Sequence, residues 1–461
     1  MKHTKLRIIP ILLTAFLTAC GGGGGSPPAP AAIVASTAPT LLGAVGFNSN
    51  YGLVPAMASG DFKGDGSRYV VIAGWLSSSQ NVARNPSPEV RVFKVNADGT
   101  GSDATVEILG GLVNASVNYP LIADFNGDGI DDIFLPGFTD APAQDANPSI
   151  VFLSSRGGAH TQVAVPGAAW NHGAVSVDID GNGTIDVVNS NGQMWLNDGR
   201  GNFTFKDHSW TSTPPFWMHG SGVCSGDFNN SGKPQLVITD HYIDSNAGPI
   251  VDTAIFELNA NLEPVASHYL PVPYFDRGAD PITGNEISHD VSCIVADLNN
   301  DGKLDIVMVS ALNSADVRAG TAPHQSVVQI YLNQGNFVFT DVTDSATSQP
   351  NKAFLSTYTP RLLDFNGDGK LDLWLTSSDN QSINSNQLWL NNGAGVYTQS
   401  ASSIINKAQA DFSALVGGNA IGGAGNTTYG MMLPVKVGSN WVLVTTSFMS
   451  GQLKVGAVKW Q

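Results

Sequence analysis

Charged and aromatic side chains are scarce in this chain of 461 residues, at 13% and 8%, whereas glycine occurs 51 times. That balance is typical of a turn-rich protein and not of a helical one. Basic residues are also few, since 22 Lys and Arg stand against 38 Asp and Glu, which gives a net charge of -16. We expect no nucleic-acid partner, because phosphate backbones are bound by basic surfaces. The sequence also lacks a convincing carboxylate pair, phosphate-binding loop or serine triad.

Long apolar runs are absent except near the start, where three basic residues precede the apolar segment 8–17. This order is typical of a secretory signal. Residues 17–20, Leu-Thr-Ala-Cys, resemble the lipobox of bacterial lipoproteins. By that resemblance residues 1–19 are a signal peptide and Cys20 is acylated. The alternative is an ordinary signal peptide with an incidental cysteine.

A tether is predicted for residues 20–39, which are rich in Gly, Pro and Ala. The acylated Cys20 is the one expected contact with a membrane, since no later segment has the roughly 20 apolar residues of a span. Gly21 stands where retention at the inner membrane is associated with aspartate, which favours the outer membrane of the cell envelope. We expect residues 40–461 to form a monomeric body outside the cytoplasm.

The body is organised around a nine-residue acidic loop, Asp364-Phe-Asn-Gly-Asp-Gly-Lys-Leu-Asp372. Positions 1, 3, 5 and 9 carry side-chain oxygens, and the carbonyl of position 7 adds a ligand whatever its side chain. Calcium prefers about six to eight oxygen ligands, and the glycine at position 6 permits the sharp turn that brings them together. A single loop of this kind could also be a solvated acidic turn.

Five further loops share this pattern, and their spacing of 49 to 70 residues indicates a repeat architecture. Their first residues are Asp61, Asp124, Asp178, Asp227 and Asp297. A seventh copy is visible only in register, where Gly438 aligns with Gly369 at an offset of 69. We expect it to keep the loop shape without an ion, because apolar residues fill its ligand positions: Leu433, Val435, Val437 and Trp441.

Short β-branched segments flank the loops, such as residues 306–309 after the fifth copy, and they predict strands. Each copy continues with a hairpin such as 193–205, where Gly and Asn in the turn 197–202 permit positive φ. One copy therefore predicts four antiparallel strands, A to D, with the acidic loop between A and B. Radial repetition of such units makes a β-propeller.

The acidic loops and the hairpins that contain Trp-Leu-Asn, at 195–197 and 389–391, resemble FG-GAP/VCBS repeats. These repeats form the calcium-loop blades of integrin α-subunit heads and of many bacterial surface proteins. The resemblance covers residues 40–461 and implies an all-β, seven-bladed β-propeller of four-stranded antiparallel blades. The last copy lacks its outer strand, so we predict that the N-terminal stretch 41–47 supplies it and closes the ring.

About four Ca²⁺ sites are expected, in copies two, three, five and six, where each loop offers three carboxylates and one amide. The predicted metal ligands are Asp124, Asn126, Asp128, Ile130, Asp132; Asp178, Asp180, Asn182, Thr184, Asp186; Asp297, Asn299, Asp301, Lys303, Asp305; and Asp364, Asn366, Asp368, Lys370, Asp372. The fourth copy retains one formal charge and should bind weakly or not at all. In the first copy, the Lys63 ammonium is expected to compete with the ion for Asp61 and Asp65. We expect the ions to be structural, because their ligand shells have no evident open position.

The opposite face receives the B–C and D–A connections and is predicted to carry the function, because long segments collect there. These segments are 209–220, 268–290 and 311–326. Their aromatic side chains suit stacking on a sugar or contact with a protein. The candidate ligand-binding residues are Trp210, Trp217 and Tyr274. The alternative is that these side chains pack the loops onto the blades.

Three histidines precede strand A in successive copies: His172, His219 and His289. We expect them near the central channel, where they could act as acid, base or metal ligand while Arg277 pairs with an acidic sugar. The alternative is three unrelated histidines in a wet channel mouth. The first hypothesis for function is a binding or adhesion module for a glycan or protein. The second is a carbohydrate-active enzyme, such as a polysaccharide lyase.

Two cysteines remain in the body, Cys224 and Cys293, on the predicted inner strands of neighbouring blades. They lie three and four residues before the first aspartate of their loops, so their side chains could point in opposite directions. An oxidising compartment permits a disulfide. The sequence leaves the pairing open.

Overall fold

Seven antiparallel sheets follow one another along the described part of the chain in a computed structural model. The first sheet has five strands and each of the others has four, which confirms the seven-bladed β-propeller. The described residues are 38–47, 52–77, 87–137, 148–167, 172–207, 220–239, 253–276, 288–312, 325–347, 357–377, 387–400, 402–417, 431–449 and 452–460.

The strands are assigned to blades in chain order, except that β1 (Thr40–Gly46) belongs to the last sheet. Blade 1 contains β2 (Gly52–Gly60), β3 (Arg68–Ser77), β4 (Glu89–Val95), β5 (Gly101–Asp103) and β6 (Val113–Asn114). Blade 2 contains β7 (Leu121–Ala123), β8 (Asp132–Leu135), β9 (Ile150–Leu153) and β10 (Thr161–Ala164). Blade 3 contains β11 (Ala174–Val177), β12 (Asp186–Asn189), β13 (Met194–Asn197) and β14 (Phe203–Lys206). Blade 4 contains β15 (Val223–Gly226), β16 (Gln235–Ile238), β17 (Ala254–Leu258) and β18 (Pro264–Tyr269).

The remaining blades follow the same plan. Blade 5 contains β19 (Ser288–Ala296), β20 (Asp305–Leu312), β21 (Ser326–Gly335) and β22 (Val338–Asp341). Blade 6 contains β23 (Thr357–Leu363), β24 (Asp372–Ser377), β25 (Gln387–Asn391) and β26 (Tyr397–Ser400). Blade 7 contains β27 (Met432–Val437), β28 (Asn440–Met449), β29 (Gln452–Trp460) and β1. The helices among the described residues are α1 (Thr105–Leu109), α2 (Thr343–Ala346), α3 (Ser402–Val416) and a single 3₁₀ turn at Tyr274–Asp276.

The ring is closed by the N-terminal strand, as the sequence predicts. Strand β1 pairs antiparallel with β29, from Thr40 opposite Ala457 to Gly46 opposite Gln452. Its Val45 is 1% exposed and belongs to a core cluster that also contains residues of blade 1. The first and last segments of the fold therefore share one blade.

The central strands are buried on both faces, because each sheet packs between two neighbouring sheets. In β20, Val307 and Val309 belong to the core shared with blade 6. Ile306 and Met308 belong to the core shared with blade 4. Side chains alternate along a strand with a period of two, so a continuous apolar run supplies both interfaces.

The connection between β27 and β28 differs from the predicted seventh loop. The prediction that a nine-residue loop keeps its shape there is wrong, since Leu433 and Val435 are buried strand residues that pair with Val444 and Val442. Only a short turn at Gly438 joins the two strands, with φ 61°. Without ligand side chains, the chain gains more from continued sheet pairing and burial than from an open loop.

Cys224 and Cys293 form a disulfide between β15 and β19, with their Cα atoms 5.8 Å apart. The two strands belong to different sheets, so no hydrogen-bonded register fixes which way their side chains face each other. A difference of one residue in sequence offset therefore does not separate the sulfur atoms. The bond joins blades 4 and 5 at their inner strands.

Breaking this disulfide is expected to lower the free energy of unfolding. The bond closes a sequence separation of 69 residues, for which the loss of chain entropy in the unfolded state amounts to about 4 kcal/mol. Thermal unfolding with and without dithiothreitol measures this effect. The Cys224→Ala variant should unfold at the same lowered temperature in both conditions. An unchanged unfolding temperature in the wild type after full reduction would contradict the prediction.

None of the helices among the described residues is long and apolar enough to span a membrane. The predicted signal peptide, Cys20 and most of the tether lie outside the described residues.

Candidate functional site

The six acidic loops share one backbone fold, and a single hydrogen bond defines it. In each loop the N–H of the position 6 glycine donates to the Oδ2 of the position 1 aspartate. The distances are 2.7 Å for Gly66, 2.8 Å for Gly129, 2.9 Å for Gly183, 2.6 Å for Gly232, 2.9 Å for Gly302 and 3.0 Å for Gly369. All six glycines have φ between 80 and 86°. Only glycine adopts this conformation without a steric cost, as the sequence predicts for position 6.

Position 4 is a second left-handed residue, which the sequence analysis missed. It is Gly in four loops, and it is Asn230 with φ 56° and Asn300 with φ 60° in the fourth and fifth. Asparagine tolerates this region better than other residues that carry a Cβ. The restriction of position 4 to Gly and Asn in all six copies therefore indicates a left-handed conformation and could have been read from the sequence.

The position 9 aspartates are fully buried and connect two turns of the same blade. The Asp186 carboxylate accepts hydrogen bonds from the N–H of Ile179 at 3.1 Å and of Asn197 at 2.7 Å. Asp305 accepts equivalent bonds from Leu298 at 2.9 Å and Asn333 at 2.8 Å. Each carboxylate oxygen has a second acceptor position, so these bonds do not exhaust the capacity to bind a cation.

Loop three gathers three carboxylates close together. Ligand oxygens of Asp178, Asp180 and Asp186 all lie within 4.8 Å of one another. Burial raises the pKa of Asp186 to about 6, the N–H of Asn197 opposes this, and the charges of Asp180 and Asp178 add to it. Like charges at this separation repel, and a divalent cation bound by oxygen ligands relieves the repulsion.

Loop six adds an oxygen that suits a cation. The Oδ1 of Asp364 is buried and has no hydrogen-bond partner. A buried carboxylate oxygen without a partner is costly, and a Ca²⁺ ion held by Asp364, Asn366, Asp368 and Asp372 would satisfy it. The residues present in loops three and six therefore fit calcium.

Lysines occupy position 7 of loops five and six and contact the ligand set. The Nζ of Lys303 lies 2.7 Å from Asp301, and the Nζ of Lys370 lies 3.3 Å from Asp368. The hydrogen bond from Lys303 lowers the pKa of Asp301. Binding of an ion by Asp301 or Asp368 requires the lysine to turn away, while its carbonyl stays in place.

The sequence predicts that the ammonium of Lys63 contacts the carboxylates of its own loop. The structure does not show this contact. The ammonium pairs instead with Glu107 of α1, at 2.5 Å. The hydrogen bond to Glu107 raises the pKa of Lys63. Loop one is held from the neighbouring blade, because the N–H of Asp61 donates to Asp131 at 2.7 Å. The helix α1 offers a carboxylate that the loop sequence alone does not indicate.

Three buried asparagines at the C–D turns join neighbouring blades, and the sequence analysis gave them no role. The Nδ2 of Asn333 donates to the carbonyl of Phe228 in blade 4 at 2.9 Å and to that of Leu304 in its own blade at 3.1 Å. Asn197 and Asn391 make the same pair of bonds in blades 3 and 6. The recurrence of asparagine after Trp-Leu or Tyr-Leu is the sequence pattern that could have indicated this role.

Substitution of Asn333 by alanine is expected to destabilise the ring by about 2–4 kcal/mol, because it leaves two buried carbonyls and a turn N–H without their partner. Asn261→Ala is a matched control, since that side chain is exposed. Urea unfolding of the two variants measures the difference. Equal free energies of unfolding would contradict a structural role for Asn333.

The proposed site on the opposite face lies mostly outside the described residues, namely Trp210, Trp217, His219 and Arg277. His289 lies in β19 opposite Ala311, and its side chain is also outside the described part. The carbonyl of His172 accepts a hydrogen bond from the Nδ2 of Asn118, which lies in the connection between β6 and β7. Convergence of the three histidines therefore stays a prediction.

Tyr274 is the one ligand-binding candidate that the structure describes. It is half-buried, its N–H donates to Gln329 at 3.1 Å, and its ring meets that of Phe275 edge-on at 5.5 Å. Asp276 at the end of the same turn accepts a hydrogen bond from the N–H of Ser288 at 3.2 Å. These bonds fix the turn on blade 5, so Tyr274 is both anchored and partly accessible.

The regular glycine-containing acidic loops on a ring of seven four-stranded sheets define the class of protein, a seven-bladed β-propeller built from repeats. FG-GAP-like repeats match residues 46–135 and 297–375, which include the first, second, fifth and sixth loops. The chain thus carries FG-GAP-like repeats in a seven-bladed propeller.

Among solved structures, the chain is similar to the V. cholerae biofilm matrix protein Bap1, with 12% sequence identity and a TM-score of 0.36. That match covers 92% of this chain and 70% of the other. No curated protein matches the sequence.

Proposed function

We propose that the protein is a binding module of the bacterial cell envelope that recognises a glycan or a protein on the face opposite the acidic loops. The observation that carries this proposal is the difference between the two ends of the blades. At one end, the acidic loops and C–D turns are tied together by buried hydrogen bonds such as those of Asn333. At the other end, Tyr274 is anchored by its backbone while its ring keeps some exposure. A rigid scaffold that presents anchored aromatic residues suits ligand binding.

Calcium belongs to this proposal as a structural ion in four of the loops, those of copies two, three, five and six. The carboxylates of loop three and the unpartnered oxygen of Asp364 support it. The ligand residues named for these loops would hold the ion, and the ion would offset their mutual repulsion. No step of recognition on the opposite face depends on it.

Anchoring through lipid on Cys20 at the outer membrane is the second component, and it rests on the sequence of residues 17–20. Fractionation of cells that express wild type and Cys20→Ser tests it. The wild type should sediment with membranes and the variant should be released into the soluble fraction. Sedimentation of both proteins alike would contradict lipid anchoring.

Binding is tested on a glycan array with the calcium-saturated protein. Tyr274→Ala should lose a glycan that the wild type retains, whereas Val265→Ala is the control, because Val265 is 59% exposed on the outer strand β18 and lies outside the segment 268–290. Equal binding by the two variants would contradict a role for Tyr274. The enzyme hypothesis has no observation in its favour among the described residues, and an assay for unsaturated uronides on the same glycans tests it directly.

A further inference from the structure

A cavity of about 340 Å³ opens among the inner strands of blades 6, 7 and 1, at the end of the ring that carries the acidic loops. Leu363 in its wall immediately precedes loop six, and Ser59 lies two residues before loop one. Between them lies blade 7, which has a tight turn in place of an acidic loop. The cavity thus occupies the one interval of the loop face where the sequence provides no calcium ligands.

Three cationic side chains line this cavity: Arg68 of β3, Arg361 of β23 and Lys436 of β27. None of them forms an ion pair with a carboxylate among the described residues. Other lysines and arginines of the described part do, such as Lys63 with Glu107 and Arg91 with Glu89. One cavity thus gathers three cations with no carboxylate partner among the described residues, in a chain with a net charge of -16.

Arg361 is the deepest of the three. Protein atoms surround its guanidinium, although the cavity leaves it some contact with solvent, and one Nη donates to the carbonyl of Met57 at 2.6 Å. Burial lowers the pKa of Arg361 to about 10, so the group is still charged at neutral pH. A guanidinium has five N–H donors in a planar fork that matches two oxygens of an oxyanion. Among the described residues, the carbonyl of Met57 accepts a hydrogen bond from one of these donors and supplies no negative charge.

The lining explains what size and chemistry of ligand would fit. Leu433, Pro434 and Val435 give it an apolar wall, and Trp441 closes one side. The Nζ of Lys436 lies 5.4 Å from the centre of the Trp441 ring, which orients the ammonium next to the cavity. Trp441 itself is fixed, because its Nε1 donates to the carbonyl of Phe365 at 2.9 Å. The volume admits a molecule of about monosaccharide size.

We propose that this cavity is a binding site for a small oxyanion, a sulfate or carboxylate group that is free or borne by a sugar, and that Arg361, Arg68 and Lys436 bind it. Arg361 receives the oxyanion through its guanidinium fork, and the other two cations contribute charge at the rim. The site lies on the face opposite to the one proposed for recognition by Tyr274. It therefore adds a second ligand to the protein and does not depend on the first.

Calorimetric titration of the calcium-saturated protein tests this site, with sodium sulfate, galacturonate and galactose as probes at matched ionic strength. At least one anion should bind in the millimolar range or tighter, and galactose, which has no charge, should not bind. Sulfate binding alone identifies a free inorganic oxyanion as the ligand chemistry, whereas preference for galacturonate identifies an acidic sugar. Absence of binding by both anions would overturn the proposal, as would equal binding of galactose and galacturonate.

The variants Arg361→Gln, Arg68→Gln and Lys436→Gln separate this site from non-specific charge effects. Loss of a charge-assisted hydrogen bond should weaken anion binding about tenfold or more for Arg361→Gln, and less for the two rim residues. Lys233→Gln is the control, because Lys233 is an exposed lysine of loop four on the same face. The affinity of this variant for the anions should equal that of the wild type. If Arg361→Gln does not fold, the anion affinities of Arg68→Gln and Lys436→Gln test the assignment. Affinities in all variants equal to that of Lys233→Gln would overturn the assignment.

Discussion

Removal of strand β1 is expected to open the ring and to lower the free energy of unfolding by at least about 5 kcal/mol. Two apolar side chains of this strand, Leu42 and Val45, are 7% and 1% exposed, and full burial of each is worth about 1.5–3 kcal/mol. The strand also supplies the outer edge of blade 7 through its pairing with β29. A propeller without closure exposes two sheet edges and the core between its first and last blades.

The effect should reach beyond blade 7, because β1 also contacts blade 1. The N–H of Gly46 donates to Glu89 of β4 at 2.9 Å. A Cβ added to Gly43 would lie 2.6 Å from the ring of Phe93, which shows how closely the strand approaches that blade. Loss of β1 therefore removes one blade edge and one blade-to-blade interface together.

A pair of point variants tests closure without a deletion. Val45→Asp places a charge in the core cluster between blades 7 and 1 and should destabilise the protein by several kcal/mol, whereas Leu41→Asp lies on the same strand at 49% exposure and should have little effect. Chemical denaturation of both variants measures the difference. A deletion of residues 1–37, which leaves β1 intact, should unfold like the full chain. Equal stability of Val45→Asp and Leu41→Asp would contradict closure by β1.

Chelation of calcium is expected to lower the unfolding temperature strongly, because the proposed function places a structural ion in four of the loops. At a free Ca²⁺ concentration of 100 times the dissociation constant, each independent site contributes about 2.7 kcal/mol. Without the ion, carboxylates such as Asp178, Asp180 and Asp186 remain within 4.8 Å of one another. Scanning calorimetry with excess Ca²⁺ and with EGTA measures the change.

Asp180→Asn separates ion binding from the loop fold. Loops two, five and six carry Asn at this position, where its Oδ1 accepts the N–H of position 5. The new amide oxygen can therefore accept the N–H of Asn182 as Asp180 does, while one of three neighbouring negative charges is removed. We expect this variant to gain less from Ca²⁺ than the wild type, and to be no less stable than the wild type in EGTA. Asp227→Asn is the control, because loop four has one formal charge and should respond little to the ion. An equal gain from Ca²⁺ in all three proteins would contradict binding at loop three.

The sequence by itself determined the features that are local to one repeat. The glycine at position 6, the strands on either side of the loop and the number of blades follow from residues that are close together in the chain and recur in each copy. Even the closing strand β1 was predicted by counting strands, since the last repeat lacked its outer strand and the N-terminal stretch 41–47 belonged to no repeat. Backbone conformation and side-chain alternation depend on neighbouring residues, so each copy supports the same inference independently.

Only the tertiary structure decided the features that depend on contacts between blades. Lys63 pairs with Glu107, Asn333 reaches Phe228, and Cys224 bonds to Cys293, each with a residue that lies in another repeat or in an added helix. Arg361 and Met57 are 304 residues apart in the chain and meet because the ring brings blade 6 near blade 1. The approach of two distant side chains depends on the curvature and closure of the whole ring, and no pattern within a single repeat contains that information.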